Sequence, residues 1–216
     1  MGHKIALLRK YSENYELGIF PDEYFDIPGV EYYQDISSVY HFTYAQLQPY
    51  CENEVDLYVN GGMAIELLTV IQVSAVLDIR LTVYHRDSQS GDFYAQTVTW
   101  HPISQMRKKL ADADIQTQVE SELEPELSLC GGRHFGMAKD VIFEQVSTER
   151  IFHFHWQEVC AERVLTPFSG KNVRIYLTGL KPLVISVLNV AGRLGIGVTW
   201  LHYDCDREEY FEQRMG

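Results

Sequence analysis

The 216 residues carry 18 Lys+Arg against 30 Asp+Glu, a formal charge of -12, with 46% hydrophobic residues. That balance excludes a general duplex-DNA binder, which needs a clustered basic surface against phosphates, but not a small anion held by a few local donors. No apolar run reaches the ~18 residues of a membrane span, and the opening MGHKIALLRKY has no signal-peptide core. The expectation is a cytoplasmic protein with no membrane contact. Cys51, Cys130, Cys160 and Cys205 lie far apart with no CxxC pair, which argues for reduced thiols over a zinc site or disulfide framework.

The chain repeats itself. Val55–Gln96 is echoed by Val173–Gln213, and from Thr69 onward the match is gapless at an offset of 117 residues, carrying His85 to His202, Asp87 to Asp204 and Gln96 to Gln213. HFTYAQL at His41–Leu47 is matched to HFHWQEV at His153–Val159. A duplication of this length predicts two copies of one fold and a site of two-fold pseudo-symmetry in the cleft between them.

Taken in order, each copy opens with a short apolar run suited to a buried strand, Lys4–Lys10 and Glu126–Gly132. Aromatic segments follow, VYHF (Val39–Phe42) and IFHF (Ile151–Phe154), and their alternation predicts strands, with His153 and His155 on opposite faces. DLYV and RIYL are β-rich and end in small-residue turns, Asn60-Gly61-Gly62-Met63 and Thr178-Gly179-Leu180-Lys181. Each turn opens an all-round apolar stretch, Ala64–Leu77 or Leu183–Leu194, as in a helix buried against a sheet. Asp78 and Gly195 are the expected helix ends. RLTVYH and GVTWLH supply the next strand, and SGDFYAQTVTW and EEYFEQ a hairpin partner. Strand, turn, helix, strand is a βαβ unit, so the fold class is α/β with two tandem Rossmann-like halves and mainly parallel sheets. The expected layout is a first repeat over 1–100, a surface helix or linker over 101–125 and a second repeat over 126–216, which leaves no residues for an attached nuclease or transcription-factor domain.

Ligands of open α/β sheets sit beyond the carboxyl ends of strands, where helix N-termini offer N–H donors to anions. Asn60, Gly61, Gly62 and Met63 in one copy, and Thr178, Gly179 and Leu180 in the other, therefore become candidate ligand-binding residues. The plain alternative is that a tight βα turn simply needs glycine. Loops after the first strand of each copy add Arg9, Lys10 and Ser12, and Gly131, Gly132, Arg133 and His134, able to hold phosphate through charge-assisted bonds or to be an ordinary solvated loop. The aligned histidines read more readily as satisfied sheet residues than as catalysts, and no metal set or cofactor motif is present. The aromatic pairs Phe93-Tyr94 and Tyr210-Phe211 either stack bases or close a hairpin whose turn starts at Asp87 or Asp204.

LTGLKPL at Leu177–Leu183, after a strand and opening a buried helix, resembles the strand–TGGTKP–helix signature of CARF domains, the CRISPR-associated Rossmann folds, with one glycine missing. VNGGMAI in the first copy keeps that glycine but has Ala64 in place of the lysine. The resemblance covers about a quarter of each copy. It implies a cyclic oligoadenylate or related nucleotide as ligand and a CARF pair contained in one chain, with a further homodimer or an effector partner left open. It also implies either a sensor or a metal-independent ring nuclease of type III CRISPR defence, in which Lys181, Arg133, Ser12 and His134 would act on the scissile phosphate. The alternatives are a regulatory module whose acidic surface meets a partner, or a mononucleotide enzyme using one turn.

Overall fold

In both halves of the chain the strand order is the same. With strands numbered in chain order, the first sheet runs β2 (Glu23–Phe25), β1 (His3–Leu7), β3 (Glu54–Val59), β4 (Arg80–Arg86), β5 (Phe93–Thr97) and the second β7 (Asp140–Phe143), β6 (Glu126–Cys130), β8 (Asn172–Tyr176), β9 (Gly197–Asp204), β10 (Glu209–Met215), each with four parallel strands and one antiparallel edge. The computed structural model describes residues 2–7, 23–25, 36–59, 64–101, 124–131, 138, 140–178 and 180–215. The chain divides into two units, Met1–Val98 and Thr99–Gly216. The first holds β1 (His3–Leu7), β2 (Glu23–Phe25), α1 (Ile36–Leu47), β3 (Glu54–Val59), α2 (Ala64–Val76), β4 (Arg80–Arg86) and β5 (Phe93–Thr97). The second holds β6 (Glu126–Cys130), β7 (Asp140–Phe143), α3 (Phe154–Leu165), β8 (Asn172–Tyr176), α4 (Lys181–Leu194), β9 (Gly197–Asp204) and β10 (Glu209–Met215). This is the α/β, mainly parallel architecture read from the sequence.

The apolar stretches do become buried helices. Ala64 through Ile71 in α2 and Pro182 through Gly192 in α4 are buried without a break, so these helices have no solvated face. Each fully buried leucine among them, such as Leu67 or Leu188, contributes about 2 kcal/mol. A buried hydroxyl here can be met within the helix: Thr69 Oγ1 donates to the Ile65 carbonyl at 2.8 Å. The charges across the first two parallel strands are exchanged between units. Lys4 sits opposite Asp56 in one, Glu126 opposite Arg174 in the other, and Arg174 Nη1 reaches Glu126 at 3.0 Å.

Two expectations are corrected. VYHF and IFHF are not strands: Val39–Phe42 lies within α1, and Ile151–Phe154 leads into α3, with His153 as its N-cap. His153 and His155 therefore do not alternate across a sheet. The buried positions, Val39, Thr43 and Leu47 in α1 and Gln157, Ala161 and Leu165 in α3, recur every four residues, the helical period. Those positions correspond at an offset of 118 residues, as do the 3-10 turns Gln48–Tyr50 and Thr166–Phe168 that end both helices on a proline. The match of His41 to His153 is thus out of register. His41 corresponds to Val159.

Both buried helices stop in the left-handed region. Gly195 has φ 65°, with its N–H on the Ala191 and Gly192 carbonyls and the Ile196 N–H on the Ala191 carbonyl at 2.9 Å, a Schellman closure. Asp78 fills the matching place in unit 1 at φ 54°, with Ile79 N–H on the Ser74 carbonyl at 2.8 Å. Glycine adopts this conformation without the penalty a side chain incurs. Asp78→Gly is expected to raise the free energy of unfolding and Gly195→Ala to lower it, each by about 1 kcal/mol. Urea titration followed by circular dichroism checks both.

Candidate functional site

A parallel sheet places the ends of its strands, and the starts of its crossover helices, along one edge. The order β7-β6-β8-β9 makes that edge special between β6 and β8: the chain leaves β6 toward β7 on one side and β8 toward β9 on the other. Such a switch point opens a crevice outside the carboxyl ends of the two strands. The register Leu127 to Ile175 and Ser128 to Tyr176 brings the end of β6 at Cys130-Gly131 beside the β8–α4 turn. Of the predicted site residues, Gly131, Thr178, Leu180 and Lys181 are therefore gathered at one sheet edge. Arg9, Lys10, Ser12, Asn60, Gly61, Gly62, Met63, Gly132, Arg133, His134 and Gly179 lie outside the described residues.

Gly131 has a structural reason to be glycine. Its N–H donates to the Phe143 carbonyl at 2.9 Å, and a Cβ there would stand 2.7 Å from the Glu144 carbonyl oxygen. Thr178 is different. It is 9% exposed, and its Oγ1 has no hydrogen-bond partner among the described residues. A buried hydroxyl left unpaired costs about 1–3 kcal/mol, so folded proteins keep few of them.

Two residues on, Leu180 is the N-cap of α4 and makes no side-chain cap. Its carbonyl accepts from Leu183 and Val184. The first turn has no acidic residue; it begins Lys181-Pro182. Helix starts favour Asp or Glu against the positive end of the dipole. Here an ammonium is added to that end, so charge of one sign accumulates where a ligand anion would sit. A hydroxyl donor, a lysine and the positive end of a helix dipole together suit a phosphodiester or phosphate.

The histidines belong to the framework. His85 Nε2 donates to Gln96 Oε1 at 2.9 Å, and His202 Nε2 to Gln213 Oε1 at 2.9 Å, all four side chains buried. Both aspartates of the His-x-Asp pairs cap turns: Asp87 Oδ1 accepts from Gln89 N–H and Asp204 Oδ1 from Asp206 N–H, each at 2.9 Å. The aromatic tail splits by face. Phe211 stacks on His202 with centroids 5.0 Å apart, while Tyr210 lies 5.0 Å from both Tyr176 and Tyr203. Tyr176 ends β8 immediately before the site turn. Nothing in RIYL alone singles Tyr176 out; its signal is the repeat, since Tyr58 holds the matching place in DLYV and packs edge-on against Phe93 at 5.4 Å, as Tyr176 does against Tyr210.

No protein-family model matches the chain, and no curated protein does. Solved structures do. The Cap4 SAVED/CARF-domain containing receptor of Moraxella osloensis matches the whole chain at 11% identity with a TM-score of 0.56. That of Acinetobacter baumannii, with the cyclic trinucleotide 3'3'3'-cAAA, matches the whole chain at 12% identity and 0.51. The chain spans about half the length of these receptors, 50% and 49%. At such identity the likeness is one of fold, and the fold is CARF-like. Among the described residues no helix is long and apolar enough to cross a membrane.

Burial lowers the His202 pKa from 6.5 to about 4, while its bond to Gln213 pulls the other way. Below pH 6.5 the unfolded chain takes up a proton that the folded one refuses, so stability is full above that pH and falls as pH drops toward 4. His202 alone is expected to remove about 2 kcal/mol between pH 7.5 and pH 5. Unfolding free energies of wild type and His202→Asn at both pH values test this. An equal loss in the variant would acquit His202.

Proposed function

We propose that this chain is a receptor that binds a cyclic oligoadenylate at the carboxyl edge of its sheets, with the β8–α4 turn as one wall of the site. One observation carries the reading: Thr178 presents a buried hydroxyl without a partner among the described residues, at the switch point and three residues before a lysine-bearing helix start. A phosphate or ribose oxygen would satisfy it, and Lys181 would neutralise the phosphate. The shared fold supports the ligand class, since one of the receptors it resembles carries the cyclic trinucleotide 3'3'3'-cAAA. The turn Asn60-Gly61-Gly62-Met63 is the corresponding element of unit 1 and belongs to the same proposal. So do Arg9, Lys10, Ser12, Gly132, Arg133 and His134 on the loops after the first strands.

Cleavage of the ring, with Lys181, Arg133, Ser12 and His134 acting on the scissile phosphate, and a place in type III CRISPR defence extend the proposal. Lys181 at a helix start suits holding a phosphate at least as well as cutting beside one. Incubation with labelled cyclic triadenylate without metal is expected to return the ring intact. Linear products would assign ring cleavage instead.

The discriminating variant is Thr178→Val, which keeps the shape and removes the hydroxyl. Relief of an unpaired buried group predicts an unbound protein at least as stable as wild type, whereas a ligand contact predicts cyclic triadenylate binding weakened about tenfold, the worth of one hydrogen bond. Lys181→Ala should weaken it further and flatten its salt dependence. Unchanged affinity in both variants, measured by calorimetry on folded protein, would remove this edge from the binding site.

A further inference from the structure

A cavity of about 350 Å³ lies beside the outer strand of unit 2, walled by Phe143, Glu144, Arg150, Trp156, Cys160 and Arg163. Trp156, Cys160 and Arg163 are spaced four and three residues apart on α3, one stripe of its surface. Arg150 comes from the 3-10 turn Thr148–Arg150 ahead of that helix. Its guanidinium lies over the Trp156 ring, 4.9 Å from the centroid. The turn itself is held: the buried Gln157 Nε2 donates to the Arg150 and Ile151 carbonyls at 3.2 and 2.7 Å, and Gln157 Oε1 accepts from Ser186 Oγ of α4 at 2.8 Å.

Charge makes this groove unusual. The chain has 30 acidic residues for 18 basic ones, so an arginine has no shortage of carboxylates to meet. Arg80, Arg174, Arg193, Arg207 and Arg214 all pair with one. Arg150 and Arg163 make no ion pair among the described residues, yet they line one cavity together. The single acid on its wall, Glu144, is exposed. The counterparts of Trp156, Cys160 and Arg163 in α1 are Ser38, Phe42 and Ala45. The duplicated fold therefore does not require this constellation, and it belongs to unit 2.

We propose that this groove is a separate binding site for a nucleoside monophosphate. Two guanidiniums match a phosphomonoester dianion, whose three terminal oxygens accept forked N–H donors. Trp156, with Phe143 tilted beside it at 6.2 Å between centroids, supplies an apolar wall for the base. Size decides against a ring of several nucleotides: about 350 Å³ is at the small end of ligand cavities, room for one nucleotide. Arg150 needs little reorganisation, because its stacking on Trp156 and the grip of Gln157 on its backbone already fix its turn.

Titration with AMP tests the site by calorimetry and by tryptophan fluorescence. Trp100 and Trp200, at 2% and 0% exposure, are sealed in the core, so quenching by a bound base reports Trp156. One AMP is expected per chain, with adenosine and inorganic phosphate each at least tenfold weaker. Arg150→Gln with Arg163→Gln should weaken AMP binding by at least tenfold, and by much less in high salt, while leaving the melting temperature and any cyclic triadenylate binding unchanged. Either AMP affinity unchanged in the double variant, or adenosine or phosphate as tight as AMP, would overturn the proposal. Because the AMP measurement does not involve Thr178 or Lys181, its failure and the failure of the ring-binding reading show separately.

Discussion

A helix that must be dry on nearly every side constrains the whole of this structure. Neither α2 nor α4 can be turned toward water, so each has to be pinned against a sheet, and the right-handed crossover leaves one way to do it. The chain climbs a strand, reverses in a few residues at the carboxyl edge, and runs back down as the helix before the next parallel strand. That reversal concentrates three things at one edge: strand ends, a tight turn and a helix start. The site turn Thr178–Lys181 is thus a consequence of where an all-apolar helix can lie. The same requirement places Asp78 and Gly195 at the opposite end, where each helix must close over its last carbonyls before the next strand.

What could be read from residues alone follows this logic. The buried helices, the hairpins and the β8–α4 turn were legible because their signals are local: unbroken apolar runs, a small-residue turn, an Asp that opens a reversal. The helices α1 and α3 were not legible as helices, because four residues such as VYHF or IFHF cannot separate a period of two from one of nearly four. Only over nine residues does the spacing of Val39, Thr43 and Leu47 declare itself. Their pairing with α3 was hidden for a related reason. The aromatic echo of HF at His41 and His153 outweighed the quieter repetition of proline in Gln48–Tyr50 and Thr166–Phe168, which marks the true register. The groove at Arg150 was illegible in kind: it depends on an arginine outside α3 folding back over a tryptophan within it.

Comparison of the two units shows which features the fold needs. The pair Lys4–Asp56 becomes Glu126–Arg174 with the charges reversed. Either order works, since an exposed pair contributes at most about 1 kcal/mol and only opposite signs matter. Burial holds the Asp56 carboxyl above its ordinary range, and Lys4 offsets only part of that rise. The His–Gln pair, by contrast, is identical in type, register and distance in both units. A buried imidazole has to be given a partner, and in each unit a glutamine of the neighbouring strand supplies it.

That contrast separates framework from site more sharply than repetition does. A polar group buried with its partner is accounted for by folding, whichever unit holds it: His85 with Gln96, His202 with Gln213, Gln157 with Ser186. Thr178 is buried and unmatched. Ser74 Oγ and Trp200 Nε1 share that condition, but one lies near the far end of α2 and the other within β9, where no strand-end crevice opens. Among the described residues, only at Thr178 does an unmet hydroxyl coincide with a switch point and a positively charged helix start. Duplication explains why both units have such an edge. Within unit 2, the destabilising hydroxyl that folding leaves unmatched among the described residues is what sets this edge apart from the framework, and the proposed ligand is what would satisfy it.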